Sequence, residues 1–314
     1  MSTPLPPVPP PLALPLHLPA APLRVAVAQT EAVSGDVAAN ARRAAALTVR
    51  AADRGARVVV LPELHLCGYD LPALAAAPDR YAVRADPGRT VADPRLDPLA
   101  EAAAAHSVTV LTGAAVRGAD GALTNSVVVC GPSGAPAVAY DKQHLWHADE
   151  RALFSAGKRG AALTVDGWRL GLGVCYDMSF PEHGRAAALA GAHAYLCPSA
   201  FAAGNEYRAA VYLAARALEN TVYAVFGNPV GGPPHRPCAG GTAVHGPGGR
   251  EVARAATAGE ETVLADLDPA ELAGVRGLLH MLEECRASTS RASKSCGAAS
   301  RGPASRGADA PSNG

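Results

Sequence analysis

Residues 57–63 read Arg-Val-Val-Val-Leu-Pro-Glu, and this run limits the fold more than any other stretch of the chain. Three valines and a leucine in a row carry no polar face, so they suit a strand buried on both sides rather than one lying on the surface. Such a strand needs a layer above and a layer below. The run also ends on Pro62-Glu63, which leaves a carboxylate at the tip of a buried strand, where it is costly unless it has a partner or a task.

The surrounding pattern supplies the layers. Residues 24–29 alternate Val and Ala in a short strand, Ser34, Gly35 and Asp36 give turn and capping chemistry, and an Ala-rich helix follows to about Arg54. A helix near residues 98–106 leads to a strand at 108–112. A hairpin then pairs 126–130 with 136–140 around Gly131, Ser133 and Gly134. Further on, the strand that begins at Trp168 is followed by a helix at about 182–190, a strand at 194–197, a helix at about 206–220 and a strand at 222–227. In the 206–220 helix, Tyr207, Val211, Ala214, Ala215 and Leu218 recur on one face. Residues 242–244, 251–255 and 262–266 read as antiparallel strands, and a short helix follows Pro269. This alternation predicts an α/β fold, a mixed sheet covered by helices in one domain.

Residues 1–22 are dominated by Pro, Leu and Ala and read as a disordered Pro-rich extension, while the Ser, Arg, Gly and Ala of residues 287–314 read as a disordered tail. The folded domain is expected over 23–286. Basic and acidic residues balance at 28 each, which gives no field to draw nucleic acid or an anionic membrane and leaves a small molecule as the expected partner. The 7 cysteines include no CxxC pair, so a disulfide framework is not expected and a cytoplasmic location is. No glycine-rich phosphate loop follows a strand.

Residues 168–177 read Trp-Arg-Leu-Gly-Leu-Gly-Val-Cys-Tyr-Asp, delivering Cys175 to a turn ahead of the helical pattern at Phe180-Pro181-Glu182. A helix N-terminus nearby favours thiolate over thiol, although a strand-end cysteine can equally be core filler. A thiol nucleophile needs a group to take its proton and another to stabilise the oxyanion. Glu63 is a candidate for the first, although a carboxylate there can also serve as a helix cap or an ion-pair partner. Lys142, set among apolar and aromatic residues in Lys-Gln-His-Leu-Trp, is a candidate for the second, the alternative being an ordinary surface lysine. Glu150 can pair with Lys142 or orient a substrate. His144 and His147 raise a Cys-His dyad or a metal site, but no third residue has ligand-like spacing, and no metal is expected.

In order and spacing, Pro62-Glu63, Lys142 with His144-Leu145-Trp146 and Glu150, and Gly173-Val174-Cys175-Tyr176-Asp177 with Phe180-Pro181-Glu182 resemble the nitrilase superfamily of carbon-nitrogen hydrolases. Further similarity lies in Val25-Ala26-Val27-Ala28-Gln29, Gly68-Tyr69, Pro198-Ser199-Ala200, Arg216-Ala217-Leu218-Glu219-Asn220 and Gly240-Gly241-Thr242, so it spans residues 24–285. The resemblance implies an α-β-β-α sandwich that assembles into a homodimer or larger homo-oligomer. It implies Cys175 as nucleophile, Glu63 as base, Lys142 with the backbone N–H of Tyr176 as oxyanion partners, and Glu150 as the glutamate that supports Lys142 and positions substrate. It requires no metal or organic cofactor.

Nitrile-hydrolysing members of the family usually carry Trp-Glu after the cysteine. Tyr176-Asp177 here resembles the amidase branches, so a small linear amide or carbamoyl compound is expected, with a nitrile hydrolase or a catalytically silent binding member as the alternatives. Tyr69, Trp146, Tyr176 and Phe201 are the side chains expected at the substrate pocket, and each could instead be packing.

Overall fold

In the computed structural model, which describes residues 17–256 and 258–288, the valine run divides its side chains between two cores. Val58 and Val60 point into the layer between two sheets, while Val59 and Leu61 point into the layer beneath the helices. All four are fully buried. This is the period-2 alternation of a strand with apolar material on both faces, and each such side chain contributes roughly 1.5–3 kcal/mol of burial.

The first sheet has the order β15 (Glu261–Leu267), β1 (Leu23–Gln29), β2 (Val58–Val60), β4 (Thr109–Arg117), β5 (Leu123–Gly131) and β6 (Gly134–Asp141), with β3 (Val83–Arg84) beside β4. The β1, β2 and β4 strands are parallel, and β15, β5 and β6 join antiparallel. The second sheet runs β14 (Glu251–Arg254), β13 (Ala243–His245), β10 (Tyr223–Gly227), β9 (Ala194–Pro198), β8 (Trp168–Leu172) and β7 (Ala161–Val165). Its central β8, β9 and β10 are again parallel. A small ribbon pairs β11 (Val230–Gly231) with β12 (Cys238–Ala239).

The sheets face each other through one core that includes Val25, Val27 and Leu111 from the first and Leu170, Leu196 and Val225 from the second. Outside the first sheet, α1 (Val37–Asp53) and α4 (Asp97–Ala105) bury Ala44, Ala51, Leu99 and Ala103 against Ala26, Ala28 and Val110. Asp36 starts α1 by accepting a hydrogen bond from the Ala39 N–H at 2.9 Å. Outside the second sheet lie α6 (Pro181–Leu189) and α7 (Glu206–Asn220). The short helices α2 (Leu71–Ala76), α3 (Pro78–Tyr81) and α5 (His147–Leu153) sit in connections, and α8 (Pro269–Leu278) follows the last strand. The result is an α-β-β-α sandwich.

The structure refines several expectations. The helix-covered mixed sheet is two sheets, because the antiparallel strands read at 242–255 join β10 rather than the sheet of β1. The apolar stripe on α7 does not face the core. Tyr207 is 79% exposed, Val211 46% and Leu218 43%, while Ala209, Leu213 and Ala217 are buried. The face that meets the core is Ala209, Leu213 and Ala217, and Tyr207, Val211 and Leu218 fall on the opposite side. At the N-terminus, residues 1–16 of the expected extension lie outside the described residues, but within 17–22 the Ala21 carbonyl accepts a hydrogen bond from Trp168 Nε1 at 2.9 Å. At the other end, residues 281–288 are helical with Leu282 in the core, and residues 289–314 of the expected tail lie outside the described residues.

One glycine fixes how the Glu63 turn meets its neighbouring strand. A Cβ on Gly113 would lie 2.2 Å from the Leu64 nitrogen and 2.5 Å from the Pro62 oxygen, so the turn after β2 packs directly on the backbone of β4. Gly113→Ala should lower the unfolding free energy by about 1–3 kcal/mol, the usual range for overpacking, as read from urea titration. An unchanged midpoint would refute this account of the contact.

Candidate active site

Both sheets end at one place. Glu63 follows β2, Lys142 follows β6, Cys175 lies beyond β8 and Ala200 beyond β9. The Glu63 N–H donates to the Ser199 carbonyl at 3.2 Å, which ties the two sheet ends together.

Lys142 Nζ donates to Glu63 Oε1 at 2.7 Å and to Glu150 Oε1 at 2.8 Å, and Glu150 Oε2 is also 2.8 Å away. All three side chains are fully buried. Glu150 is held further by the Tyr69 hydroxyl and by the Trp146 N–H at 2.8 Å. Asn125 on β5 serves both partners: its Nδ2 donates to Glu63 Oε1 at 2.7 Å, and its carbonyl accepts from the Lys142 N–H at 2.8 Å. Glu63 Oε2, by contrast, is buried and makes no hydrogen bond of its own. Burial pushes the Glu63 carboxyl above the usual carboxylate range, with the Lys142 charge pulling against it and the Glu150 charge adding to it. Burial alone would lower the Lys142 ammonium, but Glu63, Cys175 and Glu150 outweigh it and raise the ammonium above its ordinary value.

Cys175 opens a 3₁₀ turn, Cys175–Ser179, with φ at +48°. This left-handed conformation is uncommon for a residue with a side chain. Leu64 and His147 share it, at φ +50° and +49°, so one of the four candidates and two residues beside the others are strained. Burial drives the Cys175 thiol well above its ordinary value, the Glu63 charge pushes the same way, and Lys142 and the Ala200 backbone amide pull back only partly. This corrects the expectation of a helix-stabilised thiolate. The α6 helix begins only at Pro181, and burial beside two carboxylates outweighs its dipole.

Asp177 clamps the turn. Its Oδ2 accepts from the Val174 N–H at 2.9 Å and from the Tyr140 hydroxyl at 2.7 Å, while Oδ1 accepts from the His144 N–H at 2.9 Å and lies 2.8 Å from His144 Nδ1. His183 stands between the Tyr140 and Tyr195 hydroxyls at 2.8 and 2.9 Å. A Cβ on Gly173 would lie 2.0 Å from the Tyr195 oxygen, so this network presses on the strand end that carries the cysteine. His144 is thereby committed to Asp177, and His147 stacks on Trp146 with ring centroids 3.9 Å apart. Among the described residues, no group of three His, Cys, Asp or Glu side chains could hold a metal ion.

A cavity of about 90 Å3, open to solvent, reaches Cys175. Tyr69, Trp146, Tyr176 and Phe201 all line it, although the Tyr69 hydroxyl is already committed to Glu150. Sequence reasoning missed Asn125, Asp177 as a clamp, and the arginines Arg208 and Arg236 that also face the cavity. The signal for Asn125 is the polar Thr-Asn-Ser at 124–126, interrupting an otherwise apolar strand. The two arginines have no local signal, because they lie in the first turn of α7 and in the β11–β12 connection.

A buried thiol, carboxylate and ammonium at the mouth of this sandwich define a hydrolase-type site. The family model for carbon-nitrogen hydrolases matches residues 24–276, and the chain belongs to that family. It is 32% identical over 84% of its length to a hydrolase encoded in the pqqF 5′ region of Pseudomonas protegens, of which it covers 89%. It is 30% identical, over 84% of its length and 95% of the relative, to the omega-amidase NIT2 of Mus musculus. Among solved structures, the NitN amidase of Nesterenkonia sp. AN1 superposes with a TM-score of 0.72 at 26% identity, over 86% of this chain and 98% of that one. In a variant of that amidase the acetamide moiety of fluoroacetamide is added covalently at the active site cysteine.

Asp177→Asn should lower stability by about 1–3 kcal/mol at neutral pH, since an acceptor for several buried donors is replaced. Burial raises the Asp177 carboxyl, but the hydrogen bond from His144, the His183 charge and the Tyr140 hydroxyl outweigh it and hold the carboxyl below the usual range. A depressed pKa contributes stability above the unfolded value of about 3.9 and loses it as pH falls through the folded value. The gap between wild type and variant, followed by urea unfolding, should therefore narrow in acid. A gap that widens there would contradict this reading.

Proposed function

We propose that the protein is an amidase that hydrolyses a small linear amide or carbamoyl compound through a thioester on Cys175. The observation that carries the reading is the buried Lys142 ammonium shared by two carboxylates, with Glu63 Oε2 taken by none of the surrounding donors and the Glu63 carboxyl interacting with the Cys175 thiol. Glu63 takes the thiol proton as sulfur attacks the carbonyl carbon, so thiolate forms only with substrate in place. The oxyanion is met by Lys142 Nζ, which has three donors, and by the Tyr176 N–H. Collapse breaks the C–N bond, with the proton passing from Glu63 to the departing ammonia or amine. Water then gives a proton to Glu63 and attacks the thioester, the C–S bond breaks, and the proton returns to sulfur.

The amide reading over the nitrile is supported by the relatives, which include omega-amidases and, at 28% identity over 74% of the chain, the 2-oxoglutaramate amidase of Bacillus subtilis. Homo-oligomer formation is supported by the exposed Tyr207, Val211 and Leu218 stripe on α7. A reducing cytoplasmic setting is supported by the free thiols of Cys67, Cys130, Cys175, Cys197 and Cys238. Among the described residues, no helix is long and apolar enough to cross a membrane.

Cys175→Ala should abolish ammonia release from amides while circular dichroism and urea unfolding remain those of a folded protein. Retained turnover would sink the assignment, as would a wild-type preference for the nitrile over the amide of the same acid. Glu63→Gln should lower kcat/KM by about 10²–10⁴-fold, the range for loss of a general base. Because the Glu63 carboxyl is raised, the basic form is lost as pH falls through a value above about 4.3, the ordinary glutamate pKa. The acid limb of kcat/KM against pH should fall correspondingly above that value; a limb at or below it would count against Glu63 as the base.

A further inference from the structure

Arg208 and Arg236 both line the cavity that reaches Cys175, and among the described residues neither forms an ion pair with a carboxylate. Each is instead fixed by other means. The Arg236 guanidinium lies 4.2 Å from the centroid of the Tyr69 ring and donates through Nη2 to the Ala200 carbonyl at 2.7 Å. Its Nη1 is buried and has no hydrogen-bond partner. The Arg208 guanidinium lies 5.3 Å from the Trp146 ring centroid and 5.8 Å from that of Phe201, and Nη1 donates to Asn205 Oδ1 at 2.9 Å.

The loop carrying Arg236 does not hang free. The Ala203 N–H donates to the Pro237 carbonyl at 2.9 Å, the Ala239 N–H donates to the Phe201 carbonyl at 3.0 Å, and Ala202 bridges Cys238. A guanidinium held over a ring and anchored to a backbone carbonyl, with one N–H group left over, is preorganised for a planar anion. Leaving that donor unmet costs free energy that a ligand oxygen would recover. No acidic side chain lines the cavity to meet it.

We infer that Arg208 and Arg236 form a carboxylate-recognition site, so that the substrate is the monoamide of a small dicarboxylic acid, its amide at Cys175 and its free carboxylate at the arginines. This inference rests on the amidase reading above. The competing account is that the arginines merely offset the negative charge of Glu63 and Glu150, and it differs in consequence. A charge offset acts on every substrate alike, whereas a carboxylate site acts only on substrates that carry one.

The test compares succinamate and glutaramate with butanamide and pentanamide, using wild type, Arg236→Met, Arg236→Lys and Arg208→Met. For the anionic amides, each Met variant should raise KM by about 10- to 100-fold, the loss expected for a charge-assisted hydrogen bond, with kcat changed far less. For the neutral amides KM should hold, and Arg236→Lys should fall between wild type and Met. A wild-type preference for the neutral amides, or an equal loss of kcat on all four substrates, would overturn the inference. Calorimetric binding of glutaramate to Cys175→Ala, with and without Arg236→Met, reads the same site without turnover. Absent turnover with arginine-dependent binding would fail only the amidase reading. Binding of glutaramate that is undetectable, or that ignores Arg236, would refute the carboxylate site.

Discussion

The Lys142 ammonium, held in the interior between Glu63 and Glu150, is the interaction on which the rest of the site depends. Removing an ammonium from water is costly, and that cost is met here only because two carboxylates lie within 2.8 Å of it. Each carboxylate in turn has neutral donors that leave it nowhere else to go: Asn125 for Glu63, Tyr69 and the Trp146 amide for Glu150. Loss of any one charge strands the others, so the cluster is fixed as a unit. Fixed polar groups in a dry site are what stabilise a developing oxyanion without reorganisation.

The fold concentrates strain where this cluster needs it. Leu64, His147 and Cys175, all left-handed, sit one beside Glu63, one between Lys142 and Glu150, and one at the thiol itself. Such backbone persists only where its surroundings over-determine it. At Cys175 the surroundings are the Asp177 carboxylate, which joins the turn to the His144 loop after Lys142 and to Tyr140 on β6. The two sheets are therefore coupled by polar contacts at one end and by apolar packing along their length, which lets two separately formed strand ends share a site.

How much of this could be read from the chain follows from the range of the forces involved. Period-2 and period-3.6 patterns are local, so the main strands and helices were legible within a few residues, as with 206–220 for α7. Glu63, Lys142 and Cys175 stood out because each is an ionisable group at the end of an apolar strand, a conflict visible without coordinates. From local pattern alone the second sheet was not separable from the first, since strand partners distant in sequence leave no local mark; the α-β-β-α layering was legible only through the family resemblance. The α7 stripe misled for a related reason: its periodicity is real, but a second face of the same helix, Ala209, Leu213 and Ala217, is the one that meets the core. Arg208 and Arg236 were illegible because an arginine in a loop or a first turn reads as solvated surface until the fold shows what it faces.

The electrostatics of the cluster also constrain where a substrate's own charge can lie. Glu63 and Glu150 outnumber Lys142, and their negative charge adds to burial in pushing the Cys175 thiol well above its ordinary value. The same excess would repel an anionic group brought to the thiol, so chemistry and charge recognition have to be separated in space. The cavity provides that separation, since Arg208 and Arg236 line its wall and neither Glu63 nor Glu150 does. Ala200 joins the two ends, since its amide N–H faces the Cys175 sulfur and its carbonyl accepts from Arg236.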